Sequence, residues 1–134
     1  MTLSVPRAVV AAAIAVLTST TLAAHHGNAS FDTSKQVTLK GTVTEWIWAN
    51  PHCFLKIDAM DDSGNVRNWA LETQNPTAMT QHGWSRKSFN IGDQVTVALE
   101  AVKNGAPIGR IVKITLQDGS TLSAGTLPNT PPAP

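Results

Sequence analysis

From Val37 to Leu116 the apolar side chains fall mostly at every second position, in short runs broken by glycine- and aspartate-bearing turns. A period of two sends alternate residues to opposite faces of a strand, whereas a helix needs apolar spacings of three and four. The alternation therefore excludes a helical bundle and predicts a small sheet protein. The first strand sets Val37, Leu39, Val43 and Ile47 against Thr38, Lys40, Thr42 and Thr44, with Gly41 inside it, where a missing side chain permits a bend or bulge. After an Ala49-Asn50-Pro51 turn, Cys53, Leu55 and Ile57 alternate with Phe54, Lys56 and Asp58. Asp61 to Asn65 makes the next turn, and Val66 to Glu72 returns as a third strand.

One segment breaks the period. Asn75 can cap a helix, Pro76 suits its first position and Gly83 suits its end. Gly92-Asp93 then turns into a fourth strand with Val95, Val97, Leu99 and Ala101 facing inward. Asn104-Gly105 leads to a fifth from about Gly109 to Leu116, and Asp118-Gly119 allows a short terminal hairpin. Three strands, a helix and two strands is the order of the OB-fold, a five-stranded Greek-key barrel that binds ligands on an outer face. The expected fold is thus mainly β, a small OB-fold-like barrel with one short helix between strands 3 and 4. A six-stranded open sandwich is the alternative. In the barrel, Met79 and Trp84 are the expected seal of one end.

The turns also predict which residues share a face. With Ala49, Asn50 and Pro51 as the loop, Trp48 lies opposite His52 and Trp46 opposite Phe54; the next turn sets Met60 against Val66, Lys56 against Ala70 and Phe54 against Glu72. Cross-strand partners point to the same side of a sheet. Cys53, Leu55, Ile57, Trp69 and Leu71 then form a core face, and Trp46, Trp48, His52, Phe54, Lys56 and Glu72 an outer one. Glu45 falls on the core side of this scheme; a bulge near Gly41 or the hairpin would move it outward and shift Trp46 as well. An outer face that mixes aromatics with ionisable groups reads as a ligand-binding surface of Trp46, Trp48, Phe54 and Glu72, or as a second small core covered by the N-terminal arm or the helix.

The ends carry different information. Arg7 followed by the uncharged run from Ala8 to Ala24, with small residues at its close, reads as a secretory signal. The run is alanine-rich, interrupted by Thr18 to Thr21, and short for a membrane anchor, which needs ~20 mainly apolar residues. The expected organisation is a cleaved signal at 1–24, an arm at 25–35, a barrel domain at 36–125 and a disordered proline-rich tail at 126–134. This places the protein in the periplasm or outside the cell, with no stable membrane anchor. Ten basic residues face nine acidic ones, for a net charge of +1 that removal of Arg7 cancels. Such a balance argues against a nucleic-acid partner.

Cleavage beside Ala24 leaves an amine, His25 and His26 within a few ångströms, a nitrogen set that suits divalent copper. With His52 the chain offers three imidazoles, which zinc would accept together with Glu72 or water. A monovalent-copper variant would use the sulfurs of Met60, Met79 and Cys53 beside Trp46 or Trp48, although those sulfurs do not share a face. His82 reads as a helix C-terminal residue. Cys53 is the single cysteine, so no internal disulfide forms, and as a neighbour of His52 on a strand it points the other way. No nucleophile elbow, zinc-protease histidine pair or glycine-rich phosphate loop is present, and the chain reads as non-enzymatic.

Several motifs occur together: Ala-His-His at 24–26, Val-Thr-Leu-Lys-Gly-Thr-Val at 37–43, Asn-Pro-His at 50–52, Asn-Trp-Ala-Leu-Glu at 68–72, Gly-Trp-Ser-Arg at 83–86 and Gly-Asp-Gln-Val-Thr-Val at 92–97. In this combination the chain resembles a family of small exported bacterial proteins classed as a domain of unknown function. Members often read His-His-Ser at the mature start, where this chain has Gly27. The resemblance implies an exported OB-fold-like protein and brings no activity with it. A looser likeness to periplasmic OB-fold copper chaperones is one of fold, since their ligand spacing has no counterpart here. The functional expectation is a periplasmic binding module that holds copper or zinc through His25, His26 and His52. The alternative is an envelope interaction protein with a peptide, glycan or protein partner on the aromatic face.

Overall fold

The computed structural model describes residues 30–125. The expected signal segment, His25 and His26, and the expected tail from residue 126 lie outside the described residues. Six strands and one helix follow in the expected order: β1 (Val37–Ile47), β2 (Phe54–Met60), β3 (Val66–Glu72), α1 (Pro76–Gln81), β4 (Gln94–Ala101), β5 (Ile108–Leu116) and β6 (Thr121–Ser123). The sheet runs β3-β2-β1-β4-β5-β6 with every neighbouring pair antiparallel, and a parallel β3–β5 pairing closes the first five strands into a barrel. Closure rules out the open sandwich. The short β6 is the terminal hairpin that Asp118-Gly119 permits, and Gly119 takes the positive φ (85°) that this turn requires.

The barrel interior is filled by alternate residues of each strand. Leu55 and Ile57 on β2, Leu71 on β3, Val97 and Leu99 on β4 and Ile114 on β5 are all fully buried. Cys53, just before β2, is buried with them. Trp69 is half-buried against this cluster, and the Arg67 guanidinium lies 5.9 Å from its ring centre. Gly41 serves close approach: a Cβ there would sit 2.7 Å from the Asp58 carbonyl oxygen, so β1 and β2 can cross at this point only without a side chain.

The helix forms as its ends dictate. The Asn75 side chain accepts the Ala78 N–H at 2.9 Å, Pro76 opens the first turn, and Gly83, at φ 84°, lets the chain leave. Its one buried residue, Met79, plugs the barrel end together with Trp84.

Two registers decide what the outer face carries. The β2–β3 hairpin pairs Phe54 with Glu72, Lys56 with Ala70 and Met60 with Val66, as the turn length predicts. The β1–β2 hairpin does not follow the prediction. Trp46 pairs with Leu55 and Ile47 with Phe54, because β1 carries a bulge between Val43 and Glu45 rather than at Gly41. One extra residue in β1 rotates everything after it by half the strand period. Glu45 is turned outward onto Lys56 (2.6 Å), and Trp46 is turned toward the core.

Candidate functional site

Trp46 thus leaves the outer face and joins an aromatic seal. Its ring centre lies 5.0 Å from Phe89 in edge-on contact, 5.9 Å from Trp84 and 5.7 Å from Trp48. Trp84 and Phe89 meet at 5.6 Å. Two indole N–H groups in this seal are satisfied by backbone: Trp46 Nε1 donates to the Ser85 carbonyl at 3.0 Å and Trp84 Nε1 to that of Ser123 at 2.7 Å. Trp48 is half-buried on the margin of the seal, next to the exposed Ala49-Asn50-Pro51 loop with its cis Asn50–Pro51 bond. Segment 83–89 docks Trp84 and Phe89 as a helix-to-strand connection.

The outer face that remains is a continuous row. Ile47, Phe54, Glu72, Arg110 and Glu100 are successive cross-strand partners on β1, β2, β3, β5 and β4. Phe54 and Glu72 keep the shared face expected of them, now beside Ile47 instead of Trp46, and both are half-buried. Arg110 is 5% exposed. Its Nε and Nη2 both donate to one Glu100 carboxylate oxygen, at 3.0 and 2.5 Å. Above it sits Phe31 of the arm, with the guanidinium 5.0 Å from the ring centre and the ring 1% exposed. The arm thus covers the β4–β5 end of the row, through Phe31 and Arg110, residues that sequence reading missed, and leaves Phe54 and Glu72 half-exposed. A signal existed: Arg110 is the one charge among Ile108, Gly109, Ile111 and Val112, and Phe31 the one aromatic residue in the polar arm.

Two residues before Phe54, at the entry to β2, stands His52. Its Nδ1 lies 2.8 Å from the Thr73 carbonyl oxygen, which can only accept, so Nδ1 carries the proton and Nε2 the lone pair of the neutral ring. The loop is tied to β3 beyond the strand ends: the Cys53 N–H donates to Gln74 O at 3.0 Å and the Thr73 N–H to Cys53 O at 2.9 Å. An imidazole held through one nitrogen by a backbone carbonyl is the arrangement that orients a metal ligand.

Other candidates separate. Burial pushes the Cys53 thiol up, which keeps it protonated at neutral pH. Met79 is buried in the seal, whereas Met60 is exposed at the tip of the β2–β3 hairpin, so the three sulfurs are spread over the barrel. His82 is the C-cap of α1, its ring against Gly125. Among the described residues, no three His, Cys, Asp or Glu side chains converge as a metal-binding group. None of the described helices is long and apolar enough to cross a membrane.

No curated protein and no solved structure matches the chain. A family model does, over residues 12–111, the greater part of the sequence and every element through the first half of β5. The chain therefore belongs to that family, described as a family of unknown function, DUF6152.

Proposed function

We propose that this protein is an exported, non-enzymatic binding module of the periplasm or the extracellular space that holds a divalent transition metal, copper or zinc. His25 and His26 and the amine freed by processing supply one part of the ligand set, and His52 the other. The observation that carries this reading is the bond from His52 Nδ1 to the Thr73 carbonyl at 2.8 Å, which orients the ring and leaves Nε2 as the ligating nitrogen. Nitrogen ligands of this kind favour divalent copper over the other common divalent ions. The test is calorimetry with copper and with zinc on the processed protein, its N-terminus established by mass spectrometry. Sub-micromolar binding that weakens in His52→Ala is expected. Micromolar or weaker binding, unchanged by that substitution, rejects the reading.

A second reading has its own observation. Phe54 and Glu72 are half-exposed on the β2–β3 surface, where barrels of this topology bind their ligands. An envelope peptide, glycan or protein held there would be lost on Phe54→Ala or Trp48→Ala and indifferent to chelators.

A further inference from the structure

We infer that Asn104 is a self-modification site: in the β4–β5 loop it converts to aspartate and iso-aspartate through a cyclic imide with the Gly105 nitrogen, and the iso-aspartate form loosens the N-terminal arm. Among the asparagines of the chain only Asn104 precedes a glycine. Both residues are exposed, and Gly105 takes φ 81°, where a side chain would be strained. Attack of the Gly105 nitrogen on the Asn104 carboxamide carbon closes a five-membered ring, with no Cβ on Gly105 to crowd the approach. Asn104 Oδ1 accepts the Ala106 N–H at 3.0 Å, and the turn that this bond closes contains the Gly105 nitrogen. The same N–H takes up the negative charge that grows on Oδ1 as the ring forms. The Gly105 N–H reaches Val102 O only at 3.5 Å, so the attacking nitrogen is weakly held.

The other candidates each lack one part. Asn75 Oδ1 accepts a backbone N–H in the same way, from Ala78, but the next nitrogen is that of Pro76, which has no proton to lose. The Asn68 amide nitrogen, which would have to leave, donates to Thr44 Oγ1 at 3.0 Å and to Asp58 Oδ1 at 2.8 Å. Asp118 repeats the turn before Gly119, with the Ser120 N–H on its Oδ1. The Ser120 hydroxyl and N–H hold that carboxyl below the usual carboxylate range, and a carboxylate resists a nucleophile. At Asn104 the steps balance. A base takes the Gly105 amide proton, the nitrogen bonds to Cγ, the Cγ–Nδ2 bond breaks and ammonia leaves. Water then opens the imide, at the side-chain carbonyl to give aspartate or at the backbone carbonyl to give iso-aspartate, whose main chain is one carbon longer.

That added length falls between two anchors. Upstream, the Lys103 N–H donates to Ser30 O at 2.9 Å, beside the Phe31–Val102 bridge. Downstream, the Ala70 N–H donates to Pro107 O at 3.0 Å and the Arg67 guanidinium to Gly105 O at 3.2 Å. The downstream anchor belongs to the barrel. The arm is the weaker side, since Thr33 to Gln36 are exposed and the Asp32 N–H to Ala101 O is its other backbone bond to β4.

Incubation of the full chain in mildly alkaline buffer, followed by peptide mass mapping, tests the inference. The Asn104 peptide is expected to gain the mass difference between an amide and an acid and to split into two isomers. Peptides carrying Asn68, Asn75 and Asp118 are expected to stay unchanged. Gly105→Ala is expected to slow the conversion by about tenfold or more, because its Cβ displaces the attacking nitrogen. The separated iso-aspartate form should be cut by trypsin after the exposed Lys35 faster than the unconverted protein. An Asn104 that keeps its amide in the folded chain, while a short peptide of the same loop converts, overturns the site. Equal conversion in Gly105→Ala overturns the imide route, and equal cleavage after Lys35 overturns the loosening of the arm.

Discussion

The sealed barrel end and the outer row spend large side chains in opposite ways. At the seal, Trp46 and Trp84 each meet Phe89 edge to face and each other at a tilt, and the indole N–H groups of both tryptophans end on backbone carbonyls. Nothing in that cluster needs charge, and its energy comes from apolar area and ring geometry. In the row, Phe31 and Phe54 lie among Arg110, Glu100 and Glu72, and the buried Arg110 is held in part by the Glu100 carboxylate. A region closed by aromatics alone is finished as structure. A region where aromatics share a face with ionisable groups rests on charge as well as on apolar area.

Three substitutions test that contrast. Trp84→Ala should cost the most, about 3–5 kcal/mol in urea denaturation, since it opens a cavity in the seal and strands the Ser123 carbonyl. If it costs no more than an exposed residue would, the seal is not a structural closure. Glu100→Ala should follow at about 2 kcal/mol, because it removes the carboxylate oxygen that accepts from both Nε and Nη2 of the buried Arg110. The double replacement Glu100→Leu with Arg110→Met should recover most of that loss. A double variant as unstable as the single one would show that the row depends on packing, as the seal does. Trp46→Phe is the smallest, about 1 kcal/mol, because it gives up the bond to Ser85 and keeps the ring contacts. A much larger loss would mean that the indole itself, with its full area, carries the seal.

How much of the site could be read in advance differed by hairpin. The five-residue turn at 61–65 sets the β2–β3 pairing, so Phe54 and Glu72 were placed on one face correctly. The β1–β2 pairing was not legible, because the bulge between Val43 and Glu45 leaves no glycine or turn residue behind to mark it. The charge of Glu45 was the only hint: on the core side it would have been buried without a partner, and outward it meets Lys56. The arm was harder still. Phe31 gains its burial from Val102 and Arg110, some seventy residues away, and no local pattern encodes such a contact.

Local chemistry alone determined the strand order, the helix between Asn75 and Gly83, the plug of Met79 and Trp84 and the inner and outer faces of β2 and β3. Those features follow from side-chain period, caps and turns, which act over a few residues. The tertiary structure decided the parallel β3–β5 closure, the rotation of Trp46 into the seal and the covering of Arg110 by Phe31. Each of these weighs a local cost, such as an unpaired bulge residue or a buried charge, against area and partners that exist only once the barrel has closed.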